Sequence, residues 1–277
     1  MTDAPAPTIK LLSGVSIPVL GLGTWPLDDD EAATAVEQAV SAGYRLFDTA
    51  ENYGNEAGVG EGIRRSGIER DQVFITTKFN KQWHSVDGVR KAFEQSAARL
   101  GVEYIDLLLV HWPNPDQDRY VDAVKGLAAL REEGLIRAIG VSNFKPAHLQ
   151  RVLDEGLVPD VNQIQLDPRH TRAESRSFHA GHGIVTESWS PLGKGGDLLQ
   201  DPAVDRLADK YGMTPAQIVL RWHLQLGLVA IPKSANPLRI KQNINLFGFE
   251  LTPDEVESLS ALDSGDADIT DSDSFGH

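Results

Sequence analysis

The sequence predicts a single α/β domain of the (β/α)8 TIM-barrel type, with an N-terminal β-hairpin and extra C-terminal helices. Three observations carry this. Eight short β-branched or leucine-rich runs recur at intervals of roughly 20 to 30 residues, the spacing of repeated strand–helix units. Several runs are apolar without alternation, as strands covered on both faces must be, which favours a parallel sheet. The segments between them place apolar residues at helical spacing. With 277 residues and 41% hydrophobic content, one barrel accounts for the whole chain, so residues 1–277 are read as one domain.

The elements follow in order. Thr8 to Leu12 and Val15 to Val19 flank Ser13-Gly14, a two-residue turn signal, and are read as a hairpin plugging the barrel floor. The barrel strands are Leu20 to Gly23, Leu46 to Asp48, Val73 to Lys78, Ile105 to His111, Ile136 to Ser142, Val161 to Leu166, Ile184 to Ser188 and Leu228 to Pro232. Tyr120, Val124, Leu127 and Ala128 share one helical stripe, and Leu149, Val152 and Leu153 another. Thr214-Pro215 is an N-cap and first-turn pair opening an extra helix through Leu226, and Asn236-Pro237 repeats the signal after the eighth strand. Thr252-Pro253-Asp254-Glu255 starts a last helix to Leu262. The tail 263–277, rich in Asp, Ser and Gly, is either frayed chain in solvent or a wall of the pocket.

Composition excludes several functions. Forty acidic against 26 basic residues give a net charge of -14, which repels phosphate backbones and argues against nucleic acid or an anionic membrane as partner. The absence of cysteine removes disulfides, thiolate catalysis and Cys-based metal sites. The N-terminal MTDAPAPTIK shows no basic stretch leading into an apolar one, and no run approaches a membrane span, so a cytoplasmic protein is expected. A monomer is the default, since no exposed apolar stripe stands out.

Barrel enzymes build their sites at the C-terminal ends of strands. There, Asp48, Lys78 and His111 close three successive runs, and Tyr53 follows Asp48 by five residues. An Asp in such a place often caps a helix, and a Lys or His can simply reach solvent. Together they suit one chemistry: Lys78 would lower the phenol pKa of Tyr53, Asp48 would hold the ammonium, and His111 would orient a carbonyl oxygen. Proton donation to a developing alkoxide is the natural task of such a set, and it needs a hydride from elsewhere. His179 and His182, three apart on a helix, lack a carboxylate partner and are read as surface residues, so no metal is expected.

No GxGxxG fingerprint follows a strand: Gly21-Leu22-Gly23 is too short, and Gly58, Gly60 and Gly62 fall inside the second helix. Amide and hydroxyl groups instead crowd later strand ends, at Ser142-Asn143, Gln163 and Ser188-Trp189-Ser190, a set suited to a carboxamide. Trp189 offers a stacking face, and Gly193-Lys194-Gly195-Gly196 could approach a pyrophosphate. Lys233, Ser234 and Arg239 near a helix N-terminus form an anion site, and an extra phosphate there means NADPH. Trp25 and Trp112 are candidate walls of a substrate pocket.

These residues resemble the aldo-keto reductases over nearly the whole chain. The likeness rests on Gly43 to Asn55 (GYRLFDTAENYGN), Ile75 to Lys78 (ITTK), Asp106 to Pro113 (DLLLVHWP), Ile139 to Asn143 (IGVSN) and Ile231 to Ser234 (IPKS). The resemblance implies a catalytic tetrad of Asp48, Tyr53, Lys78 and His111, with hydride from the nicotinamide of NADPH and a small carbonyl compound as substrate. It also implies cofactor contacts at Ser142, Asn143, Gln163, Trp189, Lys233, Ser234, Arg239, Gln242 and Asn243, to which Thr24, Ser190, Leu192, Gly193, Gly195 and Asn236 are added as candidates. The short loop after His111 is similar to the bacterial 2,5-diketogluconate reductase branch. Where that branch carries Asn-Gln-Ile-Glu this chain has Asn162-Gln163-Ile164-Gln165, and its Leu-Trp is Phe79-Asn80, with Trp83 nearby as a replacement pocket wall. Asn236 replaces a frequent cation, so the preference for NADPH is expected to be less strict. Two other functions fit a barrel: a cofactor-sensing regulatory subunit, and an aldolase with Lys78 as Schiff-base nucleophile.

Overall fold

The computed structural model describes residues 6–277; residues 1–5, part of the leading segment read above for export signals, lie outside the described residues. The N-terminal hairpin pairs β1 (Thr8–Lys10) with β2 (Ser16–Pro18), Lys10 opposite Ser16. The connection therefore runs from Leu11 to Val15, a longer loop than the Ser13-Gly14 turn expected. The cause is packing. Leu11 is drawn into the barrel floor and Ser13 N–H donates to Asp160 Oδ1 at 2.6 Å, pinning the loop to the underside. Leu11 and Ile17 meet Leu46, Phe74, Leu107, Val161 and Val229, so the hairpin does plug the floor.

The barrel strands are β3 (Leu22–Gly23), β4 (Leu46–Asp48), β5 (Phe74–Phe79), β6 (Ile105–Val110), β7 (Ile136–Ser142), β8 (Val161–Gln165), β9 (Val185–Trp189) and β10 (Val229–Ile231), each hydrogen-bonded in parallel to the next. Most lie within a residue or two of the runs read from sequence. β3 starts later than expected, because Leu20 forms a single parallel bridge to Ala230 and Gly23 another to Lys233. Those bridges join the last strand to the first. Alternation along β6 shows why an uninterrupted apolar run is needed: Leu107 and Leu109 fill the inside of the barrel, while Leu108 and Val110 pack under the helices.

Helices α1 (Asp29–Ala42), α2 (Glu56–Ser66), α3 (Val86–Leu100), α4 (Tyr120–Glu132), α5 (Pro146–Asp154) and α6 (Ala173–Gly181) alternate with the strands. The glycines of α2 are packing residues. A Cβ on Gly58 would lie 2.2 Å from Asp29 O and one on Gly60 2.1 Å from Leu100 O, so α2 can sit this close to α1 and α3 only with glycine there. Between β9 and β10 come α7 (Pro202–Tyr211), opened by Asp201-Pro202 and not anticipated, and the expected α8 (Pro215–Gln225), capped by Thr214. After β10 follow α9 (Pro237–Ile244) and α10 (Pro253–Ser260). No helix among the described residues is long and apolar enough to cross a membrane.

Candidate active site

The C-terminal rim of the barrel opens into a cavity of about 280 Å³. Thr24, Trp25, Asp48, Tyr53, His111, Trp112, Ser142, Asn143, Gln163, Trp189, Ser190, Lys194 and Lys233 all line it, so the rim residues read from sequence converge there.

At its base Lys78 Nζ, buried in the barrel, donates to Asp48 Oδ1 at 2.7 Å and to Thr49 O at 2.9 Å, and lies 3.5 Å from Tyr53 Oη. Asp48 Oδ2 accepts from Gln163 Nε2 at 2.7 Å, so both carboxylate oxygens are used. Burial works against the Lys78 charge, yet Asp48, with Tyr53 and Glu187 adding to it, holds the ammonium above its ordinary pKa. The expectation for Tyr53 needs correcting. Lys78 does pull its pKa down, but burial is the larger effect and Asp48 adds to it, so the phenol stands above its ordinary value. His111 is pushed well below its ordinary pKa by burial first and by the Lys78 charge second, which keeps it neutral. Its Nδ1 is buried with no partner among the described residues, leaving Nε2 to serve the cavity, and its ring meets Tyr53 edge-on at 6.0 Å.

Two neighbours fix the turn that carries Tyr53. Asn55 Nδ2 donates to Thr24 O and Leu27 O at 3.1 and 2.8 Å, and its Oδ1 accepts from Thr49 Oγ1 at 2.7 Å. On the other side Glu51 accepts from Trp83 Nε1 at 2.9 Å. Trp83 is thus a brace for the tyrosine turn and does not line the cavity, contrary to its reading as a pocket wall. Asn143, in the left-handed region at φ 65°, donates from Nδ2 to His111 O and Ser142 Oγ, and its Oδ1 accepts from Trp189 Nε1 at 2.9 Å.

The phosphate candidates spread away from this cluster. Lys194 Nζ lies 5.0 Å from the Trp189 ring centroid, while Leu192, Gly193 and Gly195 shape the adjoining turn without lining the cavity. Ser234, Asn236, Arg239, Gln242 and Asn243 run from the end of β10 along α9. Asn236 Oδ1 accepts from Leu238 N and Arg239 N, so it caps its own helix. His179 also departs from expectation: it is fully buried, with one ring nitrogen 2.8 Å from Asn162 Nδ2 and the other 2.8 Å from Thr186 Oγ1. His182 is exposed, as expected. Among the described residues no group of three or more His, Cys, Asp or Glu side chains is placed to hold a metal.

The tail is a wall of the cavity. Thr270, Phe275 and His277 line it; Phe275 packs edge-on to Trp112 at 4.8 Å and His277 to His111 at 5.1 Å. Lys145 Nζ holds Asp271 and Asp273 at 2.5 and 2.6 Å, and Lys81 N–H donates to His277 O at 2.9 Å. Glu187, which belongs to none of the sequence motifs, is fully buried in β9 and faces the Asp48–Lys78 pair. A carboxylate in a strand covered on both faces was its only signal.

A sequence model of the aldo/keto reductase family matches residues 19–264. The methylglyoxal reductase DkgA of Escherichia coli is 48% identical over 97% of this chain and 98% of its own. The 2,5-diketo-D-gluconic acid reductase B of Corynebacterium sp. is 46% identical over 94% of both. A solved mutant of Gox0644 in complex with NADPH superposes with a TM-score of 0.93 at 42% identity, covering 98% of both chains. With the family match spanning most of the barrel and these relatives covering nearly all of the chain, this protein belongs to the aldo/keto reductase family.

Proposed function

We propose that the protein reduces aldehydes, ketones or dicarbonyls to alcohols with NADPH, and that Tyr53 gives the proton. One observation carries this reading: a buried ammonium, Lys78, held charged by Asp48 at 2.7 Å and set 3.5 Å from the Tyr53 hydroxyl at the base of a cavity. With its pKa raised, Tyr53 stays a phenol at neutral pH and has a proton to give; Lys78 then stabilises the phenolate left behind. Neutral His111 orients the substrate carbonyl from Nε2.

The residues present fit NADPH. Trp189 shows a ring face at the mouth, Ser142, Asn143 and Gln163 are pre-set by their own hydrogen bonds for a carboxamide, and Lys233, Ser234 and Arg239 supply two cations and a hydroxyl for a phosphate. When bound, the cofactor supplies the hydride. Asn236 gives its oxygen to its own helix, so it contributes no positive charge there, in keeping with tolerance of NADH. Gln242 and Asn243, farther along α9, are read as further cofactor contacts. Trp25, Trp112 and Phe275 wall the cavity with aromatic surface.

Methylglyoxal and diketo sugar acids, named for the relatives, are the first substrates to try. A monomer is the default state, and the cytoplasm is the compartment this reading favours. The strong ion pair counts against Lys78 as a Schiff-base nucleophile, which would have to be a free amine. The test is loss of NADPH absorbance, and separately of NADH absorbance, with a panel of these carbonyls. Turnover supports the reading; tight NADPH binding without turnover on any of them favours a cofactor-sensing subunit instead.

A further inference from the structure

The barrel interior holds one more acid than this chemistry uses. Glu187 lies in β9 between its register partners Gln163 of β8 and Val229 of β10. Its neighbour Thr186 turns outward to His179 of α6, so alternation along the strand turns Glu187 inward. It is fully buried, and among the described residues neither carboxyl oxygen has a well-formed hydrogen-bond partner, the Gln163 amide being the one donor that approaches it. The donors beside it point first to Asp48. Gln163 Nε2 donates to Asp48 Oδ2, and Lys78 Nζ donates to Asp48 Oδ1 and Thr49 O.

A bare carboxylate in such a place is costly, and it would be a second anion sharing one ammonium. A neutral carboxyl avoids both penalties. Burial first, then the charge of Asp48, pushes the Glu187 pKa up to about 8, against the attraction of Lys78 and the Gln163 amide. The charged groups it faces are Asp48 of β4 and Lys78 of β5; Tyr53 and His111 meet it through Lys78, and the flanking strands bring only the Gln163 amide and apolar Val229.

We propose that Glu187 is a positioning residue for proton transfer at Tyr53: a neutral acid beneath the Asp48–Lys78 pair while the enzyme reduces carbonyls, and a brake on reduction once it ionises. The proposal rests on the reading of Tyr53 as proton donor. With Glu187 neutral, Asp48 is the one anion set against Lys78, and the ammonium remains able to stabilise the tyrosinate left by proton transfer. When Glu187 ionises, a second anion faces Lys78 and Tyr53 becomes a weaker acid; each unit added to its pKa lowers the tyrosinate population about tenfold. Tyr53 and Lys78, both raised, titrate above this range and His111, depressed, below it, which singles out Glu187 as the source of a limb near neutral-to-alkaline pH.

The test compares kcat and KM for methylglyoxal reduction by wild type, Glu187→Gln and Glu187→Asp from neutral to alkaline pH, with NADPH saturating. The ratio of Glu187→Gln to wild-type kcat should rise by up to about tenfold across the range, with KM ratios flat and the limb restored in Glu187→Asp. A ratio that stays constant, or a collapse of Glu187→Gln at neutral pH that Glu187→Asp reverses, would overturn the proposal. Carbon-13 NMR of glutamate-labelled wild type provides a readout free of turnover and of variant folding. A carboxyl resonance titrating near the value above supports the proposal, and a set of glutamates all ionised at neutral pH refutes it. If no carbonyl is turned over, the Tyr53 reading fails, while this titration still decides the state of Glu187.

Discussion

Asp48→Asn is the substitution that strains the account most. In the folded chain the carboxylate accepts from Lys78 Nζ and from Gln163 Nε2, both at 2.7 Å. Asparagine keeps the shape but offers one acceptor and one donor. Whichever way the amide turns, its NH2 meets a donor, either the Lys78 ammonium or the Gln163 amide. Lys78 is left in the barrel with Thr49 O as its hydrogen-bond acceptor, Glu187 as the remaining acid facing it, and burial favouring its neutral form. Removing one member of a buried pair costs about 3 to 5 kcal/mol, which in a chain of this size lowers Tm on the order of 10 °C. Catalysis suffers separately: a neutral Lys78 no longer stabilises the tyrosinate, and kcat should fall by about 100-fold or more, with KM little changed. Thermal denaturation at neutral pH and NADPH-dependent reduction measure the two effects. A variant melting within about 2 °C of wild type and keeping its kcat would refute the claim that Asp48 holds Lys78 in its working state.

Two further outcomes follow from the geometry. His84 and His179 are pushed down to about 4 by burial, so between the ordinary histidine pKa and that value the unfolded chain takes up protons that the folded one refuses. Stability should fall as pH drops through this window, by at most about 3 kcal/mol for each histidine, and His179→Gln should remove its share of the slope in urea midpoints; an unchanged slope contradicts this. Lys145 clasps Asp271 and Asp273 across the tail that walls the cavity, through half-exposed pairs that salt screens. Lys145→Ala should raise KM a few-fold at low salt with kcat nearly intact, and the difference should shrink at high salt; equal KM values at low salt would show that the clasp does not order the wall.

The barrel was legible because its signal is periodic. Eight apolar runs at regular spacing and Pro-marked helix starts survive any error of a residue at their ends, whereas β3 depended on closure by Ala230 and Lys233, contacts more than 200 residues away. The hairpin loop was misjudged because the pull of the floor on Leu11 outweighs the local preference of Ser13-Gly14 for a tight turn. The tetrad residues announced themselves as polar groups at strand ends. Their balance did not: whether burial or Lys78 wins at Tyr53 depends on how completely the barrel encloses it. Trp83 and Glu51 come from different loops, and Glu187 and Lys78 from strands far apart in sequence, so neither pairing has a local trace. His179 looked like a surface residue because its partners, Asn162 and Thr186, belong to the strands beneath α6.

In the proposed reaction Tyr53 delivers the proton from a site that binds NADPH without it. Tyr53→Phe removes one hydroxyl, 3.5 Å from Lys78 Nζ, and leaves the Asp48–Lys78 pair and the Trp189 face in place. The measurement is NADPH binding by fluorescence alongside methylglyoxal reduction, for this variant and wild type. Binding should be unchanged and kcat lower by about 100-fold or more. A variant that binds NADPH and reduces the substrate at the wild-type rate would contradict it.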